Sequence, residues 1–246
     1  MRIRNKYLFI ILLLLSLLGC SSSQEYTNLE LGLQYIEIED YESAVKFLNI
    51  AISEEPTNPT IYFNLGIAKF ELMDYIGAIK AYNQVVKINP KYPLVFYYRG
   101  LAKYNNKDIN ASINDFTISI NLDKKYVNSY YYRGILYYEL NNYLASLADL
   151  NEVVKQDQSL ANAYYARGLT KDSLTDYVGA IKDYTKAIEL DQTFALAYKK
   201  RGLAYKNQGN IDIALQDLSV AADLGAEDVY EIIQNIQESN KIKNVR

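Results

Sequence analysis

The chain has 246 residues, half of them hydrophobic, and a formal charge of −3. So small a net charge gives no electrostatic footprint for nucleic acid. The absence of His and Trp and the single cysteine, Cys20, exclude imidazole acid–base chemistry, His/Cys metal centres and an intramolecular disulfide, so no metal and no cofactor is expected.

The chain opens on MRIRNKY, which carries Arg2, Arg4 and Lys6, followed by YLFIILLLLSLL, a run of twelve mostly apolar residues. At about 1.5 Å of rise per residue that run is too short for a hydrocarbon layer of ~30 Å, and it reads as an export signal. The residues Leu17-Leu18-Gly19-Cys20 that end it resemble the bacterial lipobox. The resemblance implies that residues 1–19 are a cleaved lipoprotein signal peptide and that Cys20 is lipidated (palmitate) as the first residue of the mature chain. An ordinary cleaved signal and an uncleaved anchor are the competing readings. Cleavage would remove three positive charges and no negative ones, leaving a more acidic protein. Residues 20–24 are then the lipidated cysteine and a short tether, Ser21 to Gln24, that spans at most ~14 Å. In the diderm lipoproteins this segment resembles, serine after the cysteine gives no inner-membrane retention signal. That implies the bacterial cell envelope, the outer membrane rather than the inner, with the folded part outside the cytoplasm.

From residue 25 the chain repeats itself. Gly32, Gly66, Gly100, Gly134, Gly168 and Gly202 stand 34 residues apart with no insertion. Twelve residues after each comes Ala44, Ala78, Ser112, Ser146, Ala180 or Ala214; four further on, Leu48, Tyr82, Phe116, Leu150, Tyr184 and Leu218 form an apolar column. Four residues before the glycines stand Tyr62, Phe96, Tyr130, Tyr164 and Tyr198, with Asn28 in the first repeat. Glycine inside a helix costs about 1 kcal/mol against alanine, so six in register need a structural reason. Close approach to the facing Ala/Ser column is the reason expected. Asp40, Asp74, Asp108, Asn142, Asp176 and Asn210 fill one column of strong N-cap residues, and each second helix should start just after them.

This pattern resembles the tetratricopeptide repeat (TPR), a helix–turn–helix unit of 34 residues. The resemblance implies an all-α, right-handed superhelical solenoid of six repeats over residues 25–58, 59–92, 93–126, 127–160, 161–194 and 195–228. After it, Val229, Ile232, Ile233 and Ile236 at helical spacing predict a capping helix over 229–246.

A second internal pattern concerns charge. Arg99, Arg133, Arg167 and Arg201 precede the glycine in repeats three to six, and the same repeats carry Asp115, Asp149, Asp183 and Asp217. In the first two repeats both charges are absent, replaced by Leu31 with Phe47 and Leu65 with Ala81. The co-occurrence predicts that each Arg pairs with the Asp of its own repeat.

In TPR arrays the first helices line a concave groove, which implies a contact row of Leu29, Phe63, Tyr97, Tyr131, Tyr165 and Lys199. A second row is Ile36, Phe70, Tyr104, Tyr138, Asp172 and Lys206, with Tyr132 at the rim and Lys200 in the basic C-terminal end. Lys69 and Lys103 replace the usual core aromatic, so Phe70 and Tyr104 are also candidates to turn inward. Between the two rows, Leu33, Ile67, Leu101, Ile135, Leu169 and Leu203 leave no polar clamp for a C-terminal carboxylate. Within YYYRGILYY (130–138), Tyr130 and Tyr137 are assigned to packing, and Tyr131, Tyr132 and Tyr138 to contact.

The expected function is a non-enzymatic, membrane-anchored scaffold or adaptor for protein or peptide partners of the cell envelope. Pilotin-like and outer-membrane assembly lipoproteins are alternatives within that class, and peptidoglycan or glycan binding is an alternative outside it.

Overall fold

The computed structural model describes residues 26–244; the signal segment, Cys20 and the tether lie outside them. The described residues form thirteen α-helices and no strand. The chain divides into two compact units, with the boundary between Leu122 and Asp123. In the first unit the helices pair as α1 (Asn28–Glu37) with α2 (Tyr41–Glu54), α3 (Pro59–Glu71) with α4 (Tyr75–Ile88), and α5 (Pro93–Asn105) with α6 (Ile109–Leu122). The second unit holds α7 (Val127–Glu139) with α8 (Tyr143–Gln156), α9 (Ala161–Ser173) with α10 (Tyr177–Leu190), and α11 (Ala195–Asn207) with α12 (Ile211–Asp223). The last helix, α13 (Val229–Asn244), packs on α12. Within each unit consecutive pairs stack, α2 on α3 and α4 on α5, then α8 on α9 and α10 on α11.

Local chemistry sets the helix limits. Each second helix begins one residue after the Asp/Asn column. The side chains of Asp40, Asp74, Asn142 and Asp176 accept from the backbone N–H of Ser43, Gly77, Ala145 and Gly179 at 2.9–3.3 Å. Asn210 departs from the expectation and makes no side-chain cap bond. Pro59 and Pro93 occupy first-turn positions, where a missing N–H costs nothing.

Each first helix closes on a left-handed residue that the sequence does not advertise. Glu39, Met73, Lys107, Asn141 and Thr175 have φ of 59–69°, and Gly209 has 84°. At the second of these, Met73 N–H donates to Phe70 O at 2.9 Å and Asp74 N–H to Lys69 O at 2.8 Å, which satisfies carbonyls the helix end would leave bare. Only one of the six positions is glycine, so the turn geometry comes from the hairpin and not from residue preference.

The glycine column is filled differently from expectation. The space where Cβ atoms would stand belongs mainly to the apolar column sixteen residues on, not to the Ala/Ser column. A Cβ at Gly32 would lie 2.6 Å from Leu48 Cγ, at Gly100 2.9 Å from Phe116 Cε1, and at Gly168 2.6 Å from Tyr184 Cε1. At Gly66 it would overlap the Tyr82 ring; at Gly202 the nearest atom is backbone, Ala214 O at 3.0 Å. The small column still has a part. Ala44, Ala78, Ser112, Ser146, Ala180 and Ala214 are all fully buried, and Ser112 Oγ donates to Gly100 O at 2.7 Å. Leu218, Ala221, Val229 and Ile236 form the core under α13, with Ile232 and Ile233 against it.

Candidate functional site

The arginine and aspartate columns meet within each repeat. Arg99, Arg133, Arg167 and Arg201 each donate Nε to Oδ2 and Nη2 to Oδ1 of Asp115, Asp149, Asp183 and Asp217, all at 2.6–2.8 Å. The four carboxylates are buried, and this two-pronged geometry suits guanidinium better than ammonium. Each guanidinium also lies over the aromatic ring three residues before it: Phe96, Tyr130, Tyr164 or Tyr198, at 5.2–5.8 Å. Burial by itself would lower the Arg133 pKa, but the hydrogen bond and charge of Asp149 outweigh it and push it up. At Arg201 the Asp217 hydrogen bond is the leading cause of the same rise.

Two further features of this network escape the pairwise pattern. Nη1 of Arg99, Arg167 and Arg201 reaches back to Asn83, Asn151 and Thr185 of the preceding repeat at 2.7–3.1 Å. Lys103 and Lys171 add a second cation to Asp115 and Asp183, each at 2.7 Å. The Lys103 position, which looked like a gap in the core, is therefore part of the ion network. Phe70 packs against the core cluster of Ala78 and Val85 and meets Tyr75 edge-on at 5.4 Å, so it does turn inward.

In the first unit, Tyr97 is a correction: only 8% of its surface is exposed, and its ring packs on Tyr98 and Phe116. A ring held from two sides belongs to the core and cannot be a main contact residue. Phe63 is half-buried among the rings of Tyr82, Tyr92 and Tyr98 at 5.3–5.9 Å, and with Pro59, Thr60, Asn89 and Tyr92 it lines a cavity of about 220 Å³. Tyr104 is half-buried.

In the second unit, Tyr131, Tyr132, Tyr138 and Tyr165 are all half-buried. Tyr131 packs with Leu160 against Val153, and Tyr165 stacks on Phe194 at 4.8 Å. These two tyrosines, three before the glycine, thus pack beside the residue that precedes the next first helix, and only part of each ring faces outward. Lys199 is half-buried, and its Nζ donates to Glu227 O at 2.8 Å, which ties it to the chain's own loop before α13. Lys200 acts electrostatically on Asp172, and Lys206 is exposed.

Hydroxyls are the signal that sequence reading passed over. Tyr82 and Tyr184 are fully buried, yet neither hydroxyl has a hydrogen-bond partner among the described residues. Leucine or phenylalanine fills the same place in the other four repeats, so these two oxygens are extra to what the core requires.

These features define a protein of tandem helical hairpins of the TPR type. A family model described as TPR repeat matches residues 69–107 and 174–209. No curated protein sequence matches the chain. Among solved structures, the crystal structure of MamA protein is 29% identical, with a TM-score of 0.64 over 68% of this chain and 91% of that one. YrrB, titled a TPR protein with an unusual peptide-binding site, is 17% identical with a TM-score of 0.68, covering 80% of this chain and all of that one. The C-terminal part of a TPR repeat-containing protein from Cytophaga hutchinsonii is 17% identical with a TM-score of 0.74, covering 86% and 88%. The fold is therefore that of the TPR proteins.

Proposed function

We propose that the protein is a non-enzymatic scaffold whose first-helix faces hold protein or peptide segments. The observation that carries this reading is the face of the second unit. Tyr131, Tyr132, Tyr138 and Tyr165 present partly open rings on the first helices of the unit, which also carry the half-buried Asp172 and Lys200 and the exposed Lys206, in a fold whose charged core groups are committed to each other. Half-open tyrosines combine apolar area with a polar tip and lose little entropy on binding, which suits them to peptide recognition. A peptide-binding site is named for YrrB, which shares the fold. The absence of His and the commitment of the four buried aspartates to arginine leave little for acid–base catalysis.

In this reading the scaffold is tethered through lipid on Cys20 to the bacterial envelope, at the outer membrane where one exists. The support is the sequence of residues 1–24; among the described residues no helix is long and apolar enough to cross a membrane. Two measurements test the two halves. Labelled palmitate should enter the wild-type chain and not Cys20→Ala. Cross-linking in intact cells should capture an envelope protein that is lost with Tyr132→Ala plus Tyr138→Ala, and capture unchanged by that pair sinks the groove reading.

A further inference from the structure

The cavity beside Phe63 lies at a junction between two repeats of the first unit. Pro59, Thr60 and Phe63 line it from the start of α3, and Asn89 and Tyr92 line it from the loop that joins α4 to α5. Phe63 and Tyr92 both pack against the buried cluster of Ala78, Tyr82 and Val85, which holds these two walls in place. Their rings meet edge-on, 5.6 Å apart at 64°. At the matching junction of the fifth repeat Tyr165 lies closer to Phe194, at 4.8 Å and 42°. Thr60 and Asn89 are exposed, so the cavity can be entered from solvent on their side. Leu94 and Leu196 stand at the position of Thr60 in the third and sixth repeats, so the small side chain here is not demanded by the fold.

The chemistry of the lining narrows what can enter. At about 220 Å³ the cavity is smaller than the roughly 300–1,000 Å³ of pockets for drug-sized ligands, and larger than the ~150 Å³ that holds one benzene. One aromatic ring therefore fits, whereas a branched aliphatic side chain would leave part of the wall without contacts. Edges and faces of Phe63 and Tyr92 add the geometry that aromatic pairs prefer. No lining residue carries a charge, so a charged side chain would lose hydration without a counter-ion. Asn89 Oδ1 accepts from Lys91 N–H at 3.2 Å, which fixes the amide and leaves Nδ2 without a partner among the described residues. At the next three junctions Asp123, Asp157 and Asp191 make the same turn, accepting from the N–H two residues on at 2.9 Å. Of these four turn residues only Asn89 keeps a side-chain donor.

We propose that this cavity holds one aromatic side chain, phenylalanine or tyrosine, of a bound peptide, and that Asn89 Nδ2 donates to a main-chain carbonyl beside it. The inference rests on reading the protein as a peptide-binding scaffold, and adds one position on the first unit and the residue class that fills it. A single ring seated in a pocket can carry much of a peptide's binding energy. Phe63 thereby remains a contact residue of its row, although Tyr97 of the same row is buried.

The test selects a displayed library of short random peptides on the immobilised full chain. Selected peptides are then measured on wild type, Thr60→Leu and Asn89→Asp, with circular dichroism confirming that each variant is folded. Both changes copy residues that other repeats hold at these positions, so the fold should accept them. Wild type should select peptides that share a Phe or Tyr. Thr60→Leu, which fills the cavity, should weaken their binding about tenfold, as leucine in place of the shared ring should, and the two changes together should do little more. Asn89→Asp, which keeps the turn and removes the donor, should weaken it about fivefold. Peptides selected without a shared aromatic residue, or bound equally well by Thr60→Leu, overturn the subsite and leave the peptide reading standing. Selection of no peptide at all overturns that reading and the subsite with it. Binding of soluble cell-wall glycan that Thr60→Leu abolishes overturns the aromatic side chain in favour of a sugar.

Discussion

Arg99 holds Asp115 by two parallel hydrogen bonds, Nε to Oδ2 at 2.8 Å and Nη2 to Oδ1 at 2.7 Å, and turns its remaining Nη1 back to Asn83 at 2.7 Å. One guanidinium thus closes its own hairpin and ties it to the preceding one. Removing the acid from such a pair leaves a buried cation, whereas removing both charges leaves a hydrophobic contact. Asp149→Ala should therefore lose about 3–5 kcal/mol in urea denaturation. Arg133→Leu with Asp149→Ala should recover most of it, because Leu65 and Ala81 already make that pair in the second repeat. A double variant no more stable than Asp149→Ala would show that the charge pair itself holds the hairpin.

The glycines divide by what stands opposite them. Gly168→Ala drives Cβ to 2.6 Å from the fully buried Tyr184 ring and should cost about 1–3 kcal/mol. At Gly134 the nearest atom is Leu150 Cγ at 3.1 Å, a contact that a small shift relieves. The helix-propensity gain of about 1 kcal/mol should offset most of that strain, so Gly134→Ala should stay close to wild type in a thermal melt.

The left-handed column offers an opposite pair of changes. Thr175 has φ of 62°, unfavourable for a β-branched residue, and its side chain is exposed. Thr175→Gly should stabilise by about 1 kcal/mol. Gly209 has φ of 84° with open space around it, so Gly209→Ala should destabilise by about 1 kcal/mol from backbone strain alone. Both are read from denaturant midpoints.

Asp172 gives a pH dependence whose sign is set by burial. Its folded pKa is raised, so the folded state binds the proton more tightly than the unfolded chain does. The favourable contribution is present below the ordinary carboxyl value of 3.8 and is lost as pH rises through the higher folded value. At neutral pH the charged group is a net cost. Asp172→Asn should then be more stable than wild type at pH 7, with the difference fading on acidification below 3.8. A variant less stable than wild type at pH 7 would contradict this.

Buried phenols set the alkaline limit. Burial pushes the Tyr165 pKa up to about 12, and Tyr82 and Tyr184 are raised for the same first reason. Their stabilising effect is complete below pH 10 and lost as pH rises through their folded values. Absorbance titration of phenolate should show the exposed tyrosines ionising first, with these three appearing later together with loss of helical circular dichroism.

The 34-residue spacing of six glycines, the Asp/Asn cap column and the paired presence of Arg and Asp were enough to place every helix pair and to match each arginine to its aspartate. These are local or repeated features: a cap acts within one turn, and a charge pair that recurs in register can be read without knowing the fold. Where a ring finally points could not be read this way. Tyr97 and Tyr165 hold the same register, yet one is buried between Tyr98 and Phe116 and the other is partly open against Phe194. Their exposure depends on side chains of neighbouring helices, which a single column does not contain. The same holds for Lys199, captured by a carbonyl 28 residues ahead, and for the left-handed turns imposed on Met73 and Thr175 by the hairpin. The sequence by itself determined the repeat, its phase and its internal ion pairs, because periodicity and capping are short-range. Only the tertiary structure decided which tyrosines are wall and which are surface, and sealed the Tyr82 and Tyr184 hydroxyls away from any partner among the described residues, because packing between helices sets burial and burial sets the cost of each polar group.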